Sequence, residues 1–162
     1  MRYDQLTVLV VDDSRHTRVL LAEILRALGV SRILEASDGS EGLKQASTTL
    51  LDLVITDLSM QPMDGLDFVR LLRRSPDTPN QSVPVVMITG QATLARVNEA
   101  RDAGVSEFLA KPFNARDVVR RLHQAIERPR AFVSRDEFSG PDRRRRDDRQ
   151  VSAPERRAGV RR

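Results

Sequence analysis

The sequence predicts an α/β fold, a doubly wound parallel sheet of five strands with helices on both faces. Short aliphatic and β-branched runs alternate five times with longer amphipathic stretches. The apolar runs lack the in–out alternation of a half-exposed strand, as expected for strands that are covered on both sides. Alternating β and α elements also favour parallel pairing with right-handed crossovers.

The five apolar runs give the predicted strands. VLVV and VVMI are continuous apolar segments, typical of strands buried within a parallel sheet. The predicted strands are 6–11, 32–36, 52–56, 84–88 and 106–110.

The first two helices have recognisable ends. The stretch 14–28 repeats leucine and isoleucine at helical spacing and stops before Gly29, a natural helix terminator. The next helix begins near Asp38, and Glu41 three residues later resembles the second half of a capping box.

Three more helices follow. One begins after Gly65, and the last begins at Asn114 and stops before Pro129, which cannot continue a helix. The fourth helix is expected over 93–102, with three apolar residues facing inward, namely Leu94, Val97 and Ala100.

Composition excludes several classes of protein. The 162 residues suffice for one domain with a substantial core. The absence of cysteine excludes disulfides, thiolate zinc sites and cysteine nucleophiles. No apolar run approaches the roughly 20 residues that a bilayer requires, and the N-terminus does not resemble a signal peptide. We therefore expect a cytoplasmic protein with no membrane span.

Charge divides the chain into two parts. Residues 1–126 carry 15 basic and 16 acidic residues, whereas 127–162 carry 12 arginines and 7 acidic residues. The second part also has few apolar residues and scattered proline and glycine, which is typical of disorder. We expect one domain over 1–128 and a largely disordered, Arg-rich tail over 129–162.

Groups that suit metal and phosphoryl binding follow four of the five strands. Asp12 and Asp13 follow the first strand, Asp57 the third, Thr89 the fourth and Lys111 the fifth. The carboxyl ends of parallel strands meet at one sheet edge, where such folds bind ligands. The second strand contributes no such group, which fits the doubly wound order 2-1-3-4-5 with that strand outermost.

Three carboxylates placed close together repel one another, and a nearby cation is needed to offset this repulsion. A pair about 4 Å apart repels by about 4 kcal/mol at an effective dielectric constant of about 20. Mg²⁺ prefers carboxylate and phosphate oxygens and would offset this repulsion. Asp57, alone at the end of a central strand, is the best candidate for a nucleophile toward phosphorus. The alternatives are helix-capping or loop acids for the aspartates, and a strand-ending β-branched residue for Thr89.

Four motifs in order carry a family resemblance. They are VLVVDDS, VITDLSMQPMDG, MITG and FLAKPF. Together they resemble the receiver domain of two-component response regulators, of the chemotaxis-receiver type, over about residues 5–126. The resemblance implies a flavodoxin-like fold.

The resemblance also implies roles for the acidic residues. Asp57 would be the phosphoacceptor. Asp13, Asp57 and the backbone carbonyl of Ser59 would hold Mg²⁺, with Asp12 acting through water.

Further roles concern the switch. By the same resemblance Thr89 and Phe108 would be the switch pair, and Lys111 would bind the phosphoryl group ahead of a cis bond to Pro112. Phe108 lacks a hydroxyl, so any rotamer switch at this position must act through packing alone. The alternative is that Phe108 is simply an aromatic residue of the core. Gly90 should leave room beside the phosphoryl group.

One departure from the family pattern lies in the loop after the phosphoacceptor. In the segment 60–65, Pro62 stands one place later than usual. We expect this loop to bend differently and still keep its turn.

The implied function is a signalling switch and not a conventional turnover enzyme. It would receive a phosphoryl group from a histidine kinase or phosphotransfer protein. It would act on a downstream protein through the face of helix 4, strand 5 and helix 5. A metal hydrolase using the same acids is an alternative, which the lack of an evident second acid/base group disfavours.

The tail supports a second hypothesis, an adaptor that binds polyanions or nucleic acid through charge. Its longest basic run is Arg143, Arg144, Arg145 and Arg146. Acidic residues bracket this run, so a solvated tail without a nucleic-acid partner is favoured.

Overall fold

The computed structural model describes residues 1–90, 93–129, 132–135 and 138–141. Five parallel strands form one sheet in the order β2-β1-β3-β4-β5, which confirms the predicted fold class and strand order. Each strand lies within one residue of its predicted bounds. The strands are β1 (Thr7–Val11), β2 (Arg32–Ala36), β3 (Leu53–Asp57), β4 (Val85–Thr89) and β5 (Glu107–Ala110).

Five helices connect and follow the strands, as predicted. Within the described residues, no helix has both the length and the apolar character needed to span a bilayer. The helices are α1 (Arg15–Ala27), α2 (Gly39–Thr48), α3 (Gly65–Arg74), α4 (Leu94–Ala103) and α5 (Ala115–Glu127).

The core consists of two apolar layers, one on each face of the sheet. Leu9 and Val11 of β1 point into the layer covered by α2, α3 and α4. Val8 and Val10 point into the layer covered by α1 and α5. This alternation along one strand, with both sets buried, is why β1 reads as a continuous apolar run.

Helix starts follow the capping signals of the sequence, with one difference. The side chain of Asp38 accepts from the backbone N–H of Glu41, as expected. The Glu41 carboxylate accepts from the backbone N–H of Ser37, one residue before the cap, so the predicted box is displaced. A full capping box forms instead at Asn114, with Asp117 as its reciprocal partner.

The prediction that Leu94 faces inward is wrong, because its side chain is 76% exposed. The buried residues of α4 are Ala100 and Ala103. Each step of three residues turns a helix about 60° short of a full turn. Three such steps separate Ala103 from Leu94, which therefore lies on the opposite side of the helix. Val97 lies between them and is half-buried.

The tail, predicted to be largely disordered, contains two short strands. β6 (Phe132–Arg135) and β7 (Phe138–Pro141) pair as an antiparallel hairpin, and β7 lies against α3 and α4. Pairing gives each strand backbone hydrogen-bond partners that an isolated segment would find only in water. The low apolar content of the tail gave no sign of these strands. Residues 142–162 lie outside the described residues, and the domain boundary stays a prediction.

A buried arginine fastens α3 to the end of α4. Arg73 is 1% exposed. Its Nε and Nη2 donate to the carbonyl of Gly104 at 3.2 and 2.9 Å, and its Nη1 donates to the carbonyl of Gln81 at 2.9 Å. Gly104 caps the C-terminus of α4. Burial lowers the pKa of Arg73 to about 10, so the guanidinium stays charged at neutral pH.

The start of α3 approaches the end of β3 very closely. The N–H of Gly65 donates to the carbonyl of Leu58 at 2.8 Å. A Cβ at position 65 would overlap the carbonyl oxygen of Asp57. Only glycine allows this approach without a backbone shift.

We expect Gly65→Ala to destabilise the fold by at least about 2 kcal/mol, as for overpacking in a dense interior. The matched control is Gly90→Ala, since a Cβ there would meet no heavy atom of the described residues within 4 Å. This substitution should change stability by less than about 0.5 kcal/mol. Urea unfolding of both variants measures the difference. Equal midpoints would contradict this account of Gly65.

Candidate functional site

Three aspartates meet at the carboxyl edge of the sheet. Asp12 and Asp13 follow β1 directly, and Asp57 is the last residue of β3. Val11 pairs with Thr56, so the next residues on the two strands lie side by side. One carboxylate oxygen from each aspartate lies within 4.8 Å of the others. The sequence therefore located this cluster correctly, although the roles assigned to its members stay predictions.

Lys111 reaches the same place from the end of β5. Its Nζ lies 3.3 Å from Oδ1 of Asp57, and its side chain is 36% exposed. Its backbone N–H donates to the carbonyl of Thr89 at 2.9 Å. The peptide bond from Lys111 to Pro112 is cis, as the resemblance implied. The ammonium thus faces the carboxylate from one side and solvent from the other.

Asp12 is the most buried of the three aspartates, at 1% exposure. Its Oδ1 accepts from the backbone N–H of Ser14 at 2.8 Å. Its Oδ2 is buried and has no hydrogen-bond partner in the described structure. Burial raises the pKa of Asp12 to about 6, and the neighbouring Asp57 charge adds to this effect.

Asp57 occupies a similar position but has a compensating cation. Burial raises the pKa of the Asp57 carboxyl, while the Lys111 ammonium opposes this shift by charge and by a hydrogen bond. The side chain is 8% exposed, so one face of the carboxylate remains accessible. A buried carboxylate held beside an ammonium is suited to react as an anion.

The cluster fits a hard divalent metal ion. Its three ligand groups are carboxylates, the donors that Mg²⁺ selects. The Oδ2 atom of Asp12 is buried and has no hydrogen-bond partner among the described residues. A metal ion or a metal-bound water would supply this missing partner. These residues therefore could hold such an ion, and the mutual repulsion of their charges would fall when it binds.

A cleft opens beside Asp13 of the acidic cluster. Ser59, the predicted carbonyl ligand, is exposed and lines it. Residues 61–63 form a bend, and the peptide bond between Gln61 and Pro62 is cis. That this loop keeps the turn of the family stays a prediction. The cleft is lined by Asp13, Leu58, Ser59, Met60, Gln61, Asp64 and Arg96.

A second, smaller cleft lies beside the predicted switch residues. Thr89 and Phe108 both line it, together with Val97, Ala100 and Arg96 of α4. Phe108 is half-buried and packs against the core layer under α4. This placement is compatible with a packing switch and equally with a core aromatic. A Cβ added at Gly90 would meet no heavy atom within 4 Å among the described residues, and the expected room beside a phosphoryl group stays a prediction.

Two arginines near the site were missed by sequence reasoning. Nη1 of Arg18 donates to the backbone carbonyl of Asp12 at 2.7 Å, and its Nε lies 3.5 Å from Glu35. Arg96 lines both clefts. In a chain with 25 arginines, no local pattern marked these two. The four arginines at 143–146 lie outside the described residues.

Comparison with known proteins shows which family and which relatives the chain resembles. The matching family model is the response regulator receiver domain, over residues 8–123. The probable chemotaxis protein CheY of Rhizobium etli is 35% identical over 124 residues, which cover 76% of this chain and 92% of that protein.

Solved structures resemble the fold over a similar length. Chemotaxis response regulator CheY4 of Vibrio cholerae superposes with a TM-score of 0.69 at 29% identity, over 74% of this chain and 98% of the other. The receiver domain of a Pseudomonas aeruginosa sensor histidine kinase gives 0.68 at 25% identity, over 75% and 98%. That structure has a magnesium ion coordinated in its active site cleft.

We expect Asp12→Asn to stabilise the metal-free protein at pH 7 and to have little effect at pH 4. The pKa of Asp12 rises from 3.8 to about 6 on folding. The stability linked to its proton is complete below about pH 4 and is lost as the pH rises through about 6. Asparagine carries no charge and avoids this loss, which amounts to about 1 to 3 kcal/mol.

Urea unfolding in the presence of a chelator, at both pH values, measures this effect. Asp77→Asn is the control, since Asp77 is exposed in the loop after α3. An Asp12→Asn variant with the same stability change at pH 4 and pH 7 would contradict the assignment of a costly buried charge.

Proposed function

The chain belongs to the response regulator receiver family, and we propose that it is a signalling switch phosphorylated on Asp57. The phosphoryl donor is a histidine kinase or a phosphotransfer protein. The observation that carries the proposal is the Asp57 carboxylate, 3.3 Å from the Lys111 ammonium and within 4.8 Å of two further aspartates. An ammonium and a metal-binding pair flank the oxygen that would react.

The transfer forms one bond and breaks another. An oxygen of ionised Asp57 attacks phosphorus while the P–N bond of the donor phosphohistidine breaks. The leaving imidazole keeps the electron pair and takes up a proton from solvent. Lys111 favours the ionised state of Asp57 against the effect of burial and lies where it can contact a phosphoryl oxygen. Bound Mg²⁺ would supply the neutralisation of phosphoryl charge that such transfers require. Asp13, Asp57 and the Ser59 carbonyl would hold it, with Asp12 acting through water.

We propose that the response spreads through Thr89 and Phe108. Both line one cleft against α4, so a change in Thr89 alters the space available to Phe108. The output surface is the face of α4, β5 and α5, through contact with a downstream protein. In its support, Leu94 on α4 is 76% exposed, an apolar contribution that a partner could bury.

In this proposal the protein is not a conventional turnover enzyme, and it acts in the cytoplasm. One phosphoryl transfer, followed by hydrolysis of the acyl phosphate to inorganic phosphate and the free carboxylate, completes its cycle. A metal hydrolase would require turnover of phosphoesters, which assays would detect. The adaptor hypothesis for the Arg-rich tail stays a prediction, because its longest basic run, residues 143–146, lies outside the described residues.

We expect the wild-type chain to gain one phosphoryl group from acetyl phosphate and Mg²⁺, and Asp57→Asn to gain none, because the amide is not a nucleophile toward phosphorus. Intact-protein mass spectrometry measures the change. Asp77→Asn is the matched control and should be labelled like wild type. Labelling that survives Asp57→Asn, or no labelling of wild type by acetyl phosphate or by cognate kinase candidates, would refute the proposal.

A further inference from the structure

Leu58 and Arg96 line both the acidic cleft and the switch cleft, and Arg96 is the charged residue of the two. It lies in the first turn of α4, three residues after the N-cap Thr93. In the acidic cleft it accompanies Asp13, Ser59 and Asp64. In the switch cleft it accompanies Thr89 and Phe108. Arg96 thus shares a cleft with Asp13, whose carboxylate lies within 4.8 Å of that of Asp57, and a second cleft with the proposed switch residues.

The side chain is held by a weak ion pair. Nη1 of Arg96 lies 3.5 Å from Oε2 of Glu99, and both side chains are nearly half exposed. Glu99 also lies 3.7 Å from Arg70 of α3, which in turn lies 3.4 Å from Asp67. These four residues form a chain of ion pairs between α3 and α4. Exposed pairs of this kind contribute little to stability, so Arg96 can leave Glu99 at low cost.

A phosphoryl group on Asp57 would compete for Arg96. It would add about two negative charges and three strong acceptor oxygens to the acidic cleft. Arginine binds phosphate through paired N–H donors, in a geometry that a single carboxylate oxygen at 3.5 Å does not use. Lys111 contacts Asp57 from the β5 side, which leaves other phosphoryl oxygens available to a second cation.

We propose that Arg96 is a second phosphoryl-binding cation, which exchanges its Glu99 partner for the phosphoryl group on Asp57. The proposal rests on the function proposed above. The exchange breaks the Arg96–Glu99 pair within α4 and leaves Glu99 with Arg70 of α3, while Arg73 keeps the C-terminal end of α4 fixed. Phosphorylation therefore moves the Arg96 side chain at the start of α4, beside the cleft that Phe108 lines and two residues after exposed Leu94.

The test measures beryllofluoride affinity in saturating Mg²⁺ by fluorine NMR, on the full chain. Beryllofluoride mimics a phosphoryl group on an aspartate. Arg96→Ala should weaken its binding about tenfold, as for the loss of a charged hydrogen bond, and Arg96→Lys should recover part of this loss. Glu99→Gln should bind beryllofluoride more tightly than wild type, because it removes the competing carboxylate.

Arg70→Ala is the matched control. Arg70 belongs to the same ion-pair chain but is absent from the lining of the acidic cleft, so its loss should not weaken beryllofluoride binding. Mg²⁺ affinity without fluoride separates binding from damage to the fold. Removal of a nearby positive charge by Arg96→Ala should leave Mg²⁺ affinity equal or higher, whereas disruption of the site would lower both affinities.

The outcomes are distinct. Unchanged beryllofluoride affinity in Arg96→Ala, an equal loss in Arg70→Ala, or a parallel loss of Mg²⁺ affinity would each overturn the role of Arg96. In all three cases wild type still binds beryllofluoride and is labelled on Asp57. Failure of wild type itself to bind beryllofluoride and to be labelled would instead refute the proposed function.

Discussion

The structure depends on one electrostatic constraint, the placement of the Asp57 carboxylate at the buried end of a central strand beside two other aspartates. Burial and like charge both oppose ionisation of such groups, and the pKa of Asp12 and of Asp57 are raised accordingly. The Lys111 ammonium, 3.3 Å away, offsets part of this cost. Three carboxylates beside one ammonium leave an excess of negative charge at the site. This excess favours the binding of a divalent cation.

Much of this site could be predicted because parallel strands place their carboxyl ends at one edge. The continuous apolar runs fixed the strands within one residue, and the residue after each run then had to lie in the cleft. This reasoning placed Asp12, Asp13, Asp57 and Lys111 without any contact information. It depends only on strand direction and order, and the order itself came from the known arrangement of doubly wound sheets.

Other features could not be read from local patterns. Leu94 was misassigned because spacing of three residues drifts around a helix, and only the packing of Ala100 and Ala103 shows which side is buried. The β6–β7 hairpin was missed because tail composition resembles disorder. Arg96 and Arg73 were missed because their roles arise from contacts between elements, such as the 2.9 Å bond from Arg73 to Gly104. Sequence spacing does not report these contacts.

The central claim is that a lone aspartyl oxygen, an acidic pair and an ammonium act together as one phosphoryl site. A crystal structure of the full chain grown with Mg²⁺ and beryllofluoride tests it most directly. The account predicts beryllium bonded to an Asp57 oxygen, a metal ion held among the aspartates, and the Lys111 ammonium in contact with fluoride. Beryllofluoride bound elsewhere, or Lys111 turned away from an occupied Asp57, would contradict it.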